Sequence, residues 1–447
     1  MLEALSRIRH SFEPAMTTEN RQTTQSSRGW RQRYTMISLA TLAVFVCYID
    51  RVNISVAIIP MAADLQWDKT TQGWVMSSFF IGYLVTMVFG GWLADRFGGK
   101  KVLAAGVLLW SLFTMITPPA ASAGLLVLLI VRIAMGMGEA VTFPSIYSLV
   151  GRWMPADERS RSIGLINSGI PMGTMFALLV TPIIVGQFGW QWAFYSFGIA
   201  GFLWWLAWQP LVASGPEEHP SVTEIERAEI AAGLPAEDPN APPAPSIREL
   251  LTRKPVWAII VAHFCNNWSL YVLLSWLPTF VSEGLGVPYA SVGYVSMLPH
   301  LSSLVALNLA GYIADRMIKN GMDITKVRKT MQTIGFLGIA TALAVVGEVD
   351  SVWLAIGIMC LGNAVGACVT GGFASNHMDL APRHAGKLMG LTNTAGTIPG
   401  IIGVTVTGMI LQATNNDWAL VFQVGAGVTI FGLVFYLLFA SGEKIYD

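Results

Sequence analysis

Long apolar runs separated by short polar segments are the dominant pattern of this chain. Residues 74–94 and 418–440 are examples, and each is close to the length of about 20 residues that crosses a bilayer as a helix. Runs of this length are typical of membrane spans rather than of the core helices of a soluble domain. We predict twelve transmembrane helices, near residues 36–60, 74–94, 102–120, 124–150, 163–186, 192–213, 256–281, 289–314, 330–347, 352–380, 387–413 and 418–441.

One long polar segment interrupts this pattern. It lies at 214–254, contains seven prolines, and separates the first six predicted spans from the last six. Its composition is typical of a linker, with room for a short amphipathic helix at 222–232. The predicted fold class is therefore an all-α membrane protein with two six-helix halves. Its predicted divisions are an N-terminal tail at 1–34, a first bundle at 35–213, the linker at 214–254, a second bundle at 255–441 and a C-terminal tail at 442–447.

The two halves repeat short motifs in register. The motif GWLADR at 91–96 follows the second predicted span, and GYIADR at 311–316 follows the eighth. Likewise GLINSG at 164–169 opens the fifth span and GLTNT at 390–394 the eleventh. Offsets of 220 and 226 residues favour one six-helix unit used twice, and parallel repeats with a site between them are a transporter architecture.

Composition excludes several other classes of protein. Hydrophobic residues make up 53% of the chain and charged residues 12%, against about 25% charged in ordinary soluble domains. The net charge is zero, so no overall field favours nucleic acid as a partner. The four cysteines lie in apolar runs without metal-ligand spacing, and the chain has no HExxH, GxSxG or phosphate-binding motif. We therefore predict no metal, no cofactor and no enzymatic activity.

The basic residues predict the orientation in the membrane. All but three of the 27 Lys and Arg residues lie in the two tails or in the even-numbered connections. The three exceptions are Arg51, Lys69 and Arg132. By the positive-inside rule, both termini and the linker are cytoplasmic in a multi-pass protein, which we assign to the inner (plasma) membrane of the cell.

Four charged residues fall inside predicted spans, namely Asp50, Arg51, Arg132 and Glu139. Each costs roughly 2.5–3.5 kcal/mol to insert, so each should be paired or functional. Arg132 and Glu139 are seven residues apart and share a helix face, whereas the adjacent Asp50 and Arg51 point about 100° apart. Protonation of both acids would leave two uncompensated arginines that favour an anion, so we interpret the acids as proton-coupling residues and the arginines as substrate-binding residues. Salt bridges that only fix helix packing are the alternative.

Four longer motifs resemble a known family. The stretch GGWLADRFGGKK at 90–101 is similar to the loop signature of the major facilitator superfamily, with Gly99 where a basic residue is usual. The stretches YIDRVNIS at 48–55, RIAMGMGEAVTFPS at 132–145 and NHMDLAPRHAGKLMG at 376–390 resemble the anion:cation symporter family. That family includes bacterial sugar-acid symporters and the phosphate, sialic acid and vesicular glutamate carriers.

The resemblance implies roles for particular residues. Asp50 and Glu139 match positions that carry protons in sugar-acid symporters, and Arg51 matches a substrate-binding position. Asp95, with Arg96 beside it, matches a cytoplasmic gate between the halves. Met76 and Asn266 depart from vesicular glutamate carriers, which have a His and an Arg at these positions.

The second half offers neutral polar side chains instead of charges. For each of them an inter-helix hydrogen bond is the competing interpretation. We select Asn393 as a substrate-binding candidate, with Tyr48 and Tyr83 as phenol partners in the first half. The other residues of this kind are Asn266, Asn267, Ser275, Asn308, Asn363, Asn376 and His377.

These observations together predict a secondary active transporter. We predict proton-coupled symport of a small organic anion, such as a sugar acid, by alternating access in a monomer. Its partners would be the anionic substrate, protons and the lipid bilayer. Transport of phosphate or another inorganic anion, driven by protons or sodium, is one alternative. A solute sensor derived from a carrier is another.

Overall fold

Twelve long helices form the fold in the part of the chain that the structure describes. The computed structural model describes residues 30–233 and 245–446, so most of the predicted N-terminal tail, the middle of the predicted linker and the last residue lie outside the described residues. The long helices are α1 Gln32–Leu65, α2 Lys69–Phe97, α3 Gly99–Ala123, α4 Leu125–Trp153, α5 Ala156–Phe188, α6 Trp190–Leu211, α7 Lys254–Gly284, α8 Tyr289–Lys319, α9 Ile324–Val346, α10 Val352–Leu380, α11 Pro382–Ala413 and α12 Trp418–Phe439.

The helices agree with the predicted spans. Ten of them are long and apolar enough to cross a membrane as single helices, and α2 bends by 53° between Met87 and Phe89. The helix α6, Trp190–Leu211, completes the predicted twelve. Aspartates begin several helices because their carboxylates accept exposed backbone N–H groups. Asp68 accepts from the N–H of Thr71 at the start of α2, and Asp417 accepts from the N–H of Leu420 at the start of α12.

The connections divide the molecule into two faces. We call the side that carries residues 30–31, the linker and residues 440–446 the basic face, and the side that carries connections 66–68 and 285–288 the opposite face. The tight α2–α3 connection on the basic face explains the glycine in the signature motif. A Cβ on Gly99 would lie 2.5 Å from the carbonyl oxygen of Ser145, so a basic side chain does not fit there.

The linker is anchored to the first half. Its helix Glu224–Ala232 lies within the segment predicted to be helical and is here called the linker helix. The buried carboxylate of Glu226 accepts the backbone N–H groups of Gln32 and Arg33, at 3.2 and 3.0 Å, at the start of α1. Glu229 forms salt bridges with Arg31 and Arg33. The linker helix therefore caps the N-terminus of α1 with acidic side chains, which is the favourable end of the helix dipole for negative charge.

Candidate functional site

The two halves meet near the opposite face and separate toward the basic face. Lys69 of α2 forms a salt bridge with Glu283 of α7, and Thr405 of α11 donates to Ser77 of α2 at 2.9 Å. Asn393 lies farther toward the basic face and donates to the sulfur of Met87 at 3.3 Å. Beyond that contact, the described residues form no hydrogen bond or salt bridge between the halves. Polar contacts among the described residues thus hold the halves together on the opposite face and reach no farther toward the basic face than the Asn393–Met87 contact.

A buried ion pair lies between α1 and α4, inside the first half. The guanidinium of Arg51 donates from Nε and Nη2 to Oε2 of Glu139, at 3.2 and 2.9 Å. Glu139 is fully buried and Arg51 is 7% exposed. The thiol of Cys47, one helical turn before Arg51, donates to the same oxygen at 3.2 Å. A buried charge pair of this kind costs desolvation, so its geometry has to be good for it to persist.

Aromatic rings surround the guanidinium of Arg51. Its central carbon lies 4.9 Å from the ring centre of Tyr48, 5.1 Å from that of Phe79 and 4.7 Å from that of Tyr83. Close packing of α4 on α2 places the rings of Phe79 and Tyr83, since a Cβ on Gly136 would lie only 2.0 Å from the carbonyl oxygen of Phe79. The predicted candidates Tyr48 and Tyr83 thus lie beside Arg51, where cation–π contacts hold its guanidinium plane.

Arg132 does not pair with Glu139. Its Nη1 contacts the sulfur of Met135 at 3.1 Å, and its guanidinium lies 5.4 Å from the ring centre of Phe79. Among the described residues, Arg132 therefore forms no salt bridge in this conformation, whereas Arg51 does. The sequence spacing places Arg132 and Glu139 on one face of α4, but it says nothing about neighbouring helices. Arg51 approaches from α1 and binds the carboxylate instead.

Asp50 is buried without a hydrogen-bond partner. It is 1% exposed, and neither carboxylate oxygen has a hydrogen-bond partner among the described residues. Its polar neighbours are Arg132, Trp110 and Thr114. As the 100° separation predicts, Asp50 and Arg51 make different contacts. A carboxylate of this kind costs free energy when it is ionised, because burial removes its hydration and no neighbouring donor among the described residues meets hydrogen-bond geometry.

Both arginines line one small cavity between the two halves. Arg51 and Arg132 both line it, and the second half contributes Leu274 and Ser275 of α7. The remaining lining residues are Ile54, Ser55, Met76, Phe79 and Phe80. We call this space the arginine cavity. Two cations therefore face one space, although they are 81 positions apart in the chain.

Of the neutral polar residues named from the sequence, Ser275 lines the arginine cavity, whereas Asn393 and the two predicted gate residues lie away from it. Asn393 contacts Met87 between the halves. Asp95 and Arg96 are exposed at the basic-face end of α2, and Arg96 lies over the rings of Trp92 and Phe97. The role of these two residues as a gate stays a prediction.

Some residues of the site escaped the sequence analysis. The sequence places Cys47 in an apolar run without metal-ligand spacing, although its thiol donates a hydrogen bond to Glu139. Cys47 and Arg51 are four residues apart, so they lie on one face of α1. This spacing could have indicated that the two side chains share a partner. Phe79, which lies near both arginines, carried no such signal because apolar residues fill α2.

Comparison with known proteins identifies the family. The family described as Major Facilitator Superfamily matches residues 40–404. The "Sodium-dependent phosphate transport protein 1, chloroplastic" and the "Ascorbate transporter, chloroplastic" of Arabidopsis thaliana are 41% and 40% identical, over 93% and 94% of this chain and 80% and 78% of theirs. Sialin of Homo sapiens is 34% identical over 92% of this chain and 90% of its own.

Solved structures support the same fold. A bacterial homologue of the human lysosomal transporter Spinster, in an inward-facing and occupied conformation, has a TM-score of 0.74 at 16% identity. That match covers 92% of this chain and 97% of the other. The D-xylose–proton symporter has a TM-score of 0.71 at 16% identity, over 92% and 99% of the two chains. The predicted fold and the prediction of a carrier rather than an enzyme are thereby confirmed, and the chain belongs to the Major Facilitator Superfamily, among the anion transporters of its anion:cation symporter type.

Proposed function

We propose that this membrane protein is a proton-coupled symporter of a small organic anion that works by alternating access as a monomer. The observation that supports it most is the pair of arginines on one buried cavity, with Glu139 bound to Arg51 and Asp50 near Arg132. With both acids ionised, the four charges sum to zero. Two protons would leave two net positive charges facing the cavity, which then favours an anion.

Arg51 has the donors that a carboxylate needs. Its Nε and Nη2 are bound to Glu139, while its Nη1 makes no hydrogen bond with the described residues. Protonation of Glu139 would weaken the two existing bonds and free the planar fork for both oxygens of a substrate carboxylate. Proton binding and anion binding are then coupled, and the coupling is reciprocal.

The relatives support anion transport and leave a second candidate. Their names include phosphate, ascorbate and sialin, so both inorganic and organic anions occur among them. The identity of 41% to a sodium-dependent phosphate transport protein favours phosphate, with sodium as the driving ion, as the alternative. The cavity carries two arginines rather than one, which suits a divalent anion as well as a monovalent one.

We also propose the orientation. The basic face would lie in the cytoplasm and the protein in the inner (plasma) membrane, because the Lys and Arg residues outside the spans concentrate on that face. The described conformation would then be open to the cytoplasm, and Asp95 and Arg96 would approach the second half only when the carrier opens to the other side.

Uptake into proteoliposomes tests the proposal. The purified protein would be offered labelled gluconate, succinate, benzoate and phosphate under an imposed inward proton gradient, and separately under an inward sodium gradient at equal pH. We expect accumulation of an organic anion that follows the proton gradient and stops with a protonophore. Accumulation of phosphate alone under the sodium gradient would contradict the proposal and support the alternative.

A further inference from the structure

Two hydroxyls on α4 are buried without a hydrogen-bond partner. Thr142 and Ser145 are fully buried, and neither side-chain oxygen has a partner among the described residues. A buried threonine in a helix can donate to the carbonyl four residues earlier, as Thr117 does to Phe113 at 2.8 Å. A buried hydroxyl that makes no hydrogen bond costs free energy, so these two require an explanation.

The two hydroxyls continue a series that begins at Glu139. Glu139, Thr142 and Ser145 follow one another at intervals of three residues, and side chains three residues apart are neighbours on a helix. Ala140 and Val141 interrupt α4 but keep right-handed helical dihedrals, so the spacing holds across them. The rise from Glu139 to Ser145 is about 9 Å. Because Oε1 of Glu139 also has no partner among the described residues, three uncommitted polar groups follow one another along α4.

The backbone of α4 adds one more acceptor to this series. Pro144 has no N–H, so the carbonyl of Ala140 lacks the donor that a regular helix provides. The helix α2 lies against this point, since a Cβ on Gly90 would lie 3.6 Å from that carbonyl oxygen. The interruption therefore places an extra carbonyl between Glu139 and Thr142 in the chain.

The series runs from a buried acid toward the basic face. Glu139 is fully buried and does not line the arginine cavity, whereas Arg51, its partner, does. At the other end, Ser145 lies beside the start of α3, since a Cβ on Gly99 would lie 2.5 Å from its carbonyl oxygen. Phe97, next to that start, is exposed on the basic face.

No further acid or base continues the path on α4. The titratable groups near Glu139 are Arg51, Cys47 and Asp50 of α1, Arg132 of α4 and Tyr83 of α2, which lies beside Arg51. The helix α3 has no titratable residue at 102–123. Between Glu139 and Arg152, α4 has only Tyr147, which is exposed. A proton that travels along α4 therefore has to be passed by hydroxyls.

We propose that Thr142 and Ser145 relay protons between Glu139 and the basic face. Each hydroxyl accepts a proton on its oxygen and gives its own hydrogen onward, so neither is consumed. No two of these groups are hydrogen-bonded to each other, so one water bridges each gap. In sum, an O–H bond forms at Oε1 of Glu139 while one breaks in a hydronium ion at the basic face. This inference rests on the proposed function, which makes Glu139 a proton-coupling residue.

The test follows protonation of Glu139 itself and needs no substrate. Infrared spectroscopy of the purified full-length protein after a rapid drop in pH detects the C=O band of carboxylic acids, and the part that Glu139→Gln removes belongs to Glu139. The variants Thr142→Val and Ser145→Ala remove the hydroxyls, and Thr142→Ser restores one. Thr117→Val on α3 is the matched control, because Thr117 is also fully buried and its hydroxyl is bound within its own helix.

We expect Thr142→Val and Ser145→Ala each to slow the appearance of the Glu139 band roughly ten-fold or more, since each removes a proton-transfer partner. The final amplitude of the band as a function of pH should stay the same, because a path sets the rate and not the equilibrium. Thr142→Ser should recover the rate, and Thr117→Val should keep it. The double variant should be no slower than the slower single variant, because both hydroxyls belong to one series.

Wild-type rates in both variants would overturn the inference and mean that the proton arrives through the arginine cavity. A changed final amplitude with an unchanged rate would also overturn it, by assigning the two residues to packing around Glu139. A wild type without any Glu139 band would overturn the proton role of Glu139 together with the relay, so the two failures are distinguishable. If Thr142→Val does not fold, Ser145→Ala decides by the same criteria.

Discussion

Arg51 and Glu139 meet through a single carboxylate oxygen. Oε2 of Glu139 accepts from Nε and Nη2 of Arg51 and from the thiol of Cys47, while Oε1 has no partner among the described residues. One oxygen thus holds the arginine, and the other is unoccupied by any protein donor. Under the proposed function, a proton on Oε1 would not have to displace the arginine first, so this pair could link proton binding to release of the guanidinium.

Arg51→Lys should weaken substrate binding at least ten-fold although it keeps the positive charge. An ammonium cannot reproduce a bidentate fork, and it loses the planar stacking against Tyr48, Phe79 and Tyr83. Binding of the transported anion to purified protein would measure this loss. Near-normal affinity would mean that Arg51 acts as a packing residue or as a simple point charge.

Glu139→Gln should separate coupling from binding. The amide resembles the protonated acid and its oxygen can still accept from Arg51, so the site should bind the anion and the halves should still exchange. Because glutamine cannot release a proton, gradient-driven accumulation should fail while exchange of external for internal substrate at equal pH persists. Loss of both activities would assign Glu139 to the fold or to substrate contact, and unchanged accumulation would remove it from the proton path.

The rate of anion uptake should depend on the external pH. Protons at Asp50 and Glu139 add positive charge to the arginine cavity, so anion uptake should rise as the external pH falls and collapse with a protonophore. Initial rates measured at fixed internal pH test this expectation. A rate that ignores external pH and follows sodium would count against proton coupling.

Charge removal at Lys69 should favour opening of the opposite face. The Lys69–Glu283 bridge joins α2 to α7 only while that face is closed, and a partly exposed pair is worth up to about 1 kcal/mol, or roughly a five-fold population shift. Thiol labelling of a cysteine at Thr405 measures the opening in Lys69→Gln. The double charge swap Lys69→Glu with Glu283→Lys should restore protection, and equal labelling in all variants would show that other contacts hold this face closed.

Glu226→Gln should destabilise the first half. Its carboxylate accepts two backbone N–H groups at the start of α1, where a negative charge also interacts with the helix dipole, so about 1 kcal/mol should be lost. Thermal unfolding of the purified protein measures the effect. Glu224→Gln is the matched control, because this side chain on the same linker helix is 88% exposed and, within residues 30–233 and 245–446, pairs only with Arg227. Equal melting temperatures for the two variants would contradict the capping role.

The sequence by itself determined the architecture. An apolar run of about 20 residues has to cross the bilayer as a helix, because lipid offers no partner for an exposed backbone N–H or C=O. The order of apolar and polar residues along the chain is therefore enough to predict the number of spans and the two halves. It also shows which charged residues lie inside the spans. Adjacent charges such as Asp50 and Arg51 could likewise be assigned to different directions, since helix geometry sets the angle between neighbours.

Only the tertiary structure decided which residues meet. Helical periodicity gives the face on which a side chain lies but not the helix that faces it, so the choice of Arg51 over Arg132 as the partner of Glu139 depended on how closely α1 and α4 approach. The cavity between α7, α8 and α10 has the same origin. His300 and Asn363 are 63 positions apart, and only the packing of α8 on α10 brings their uncommitted polar atoms to one cavity.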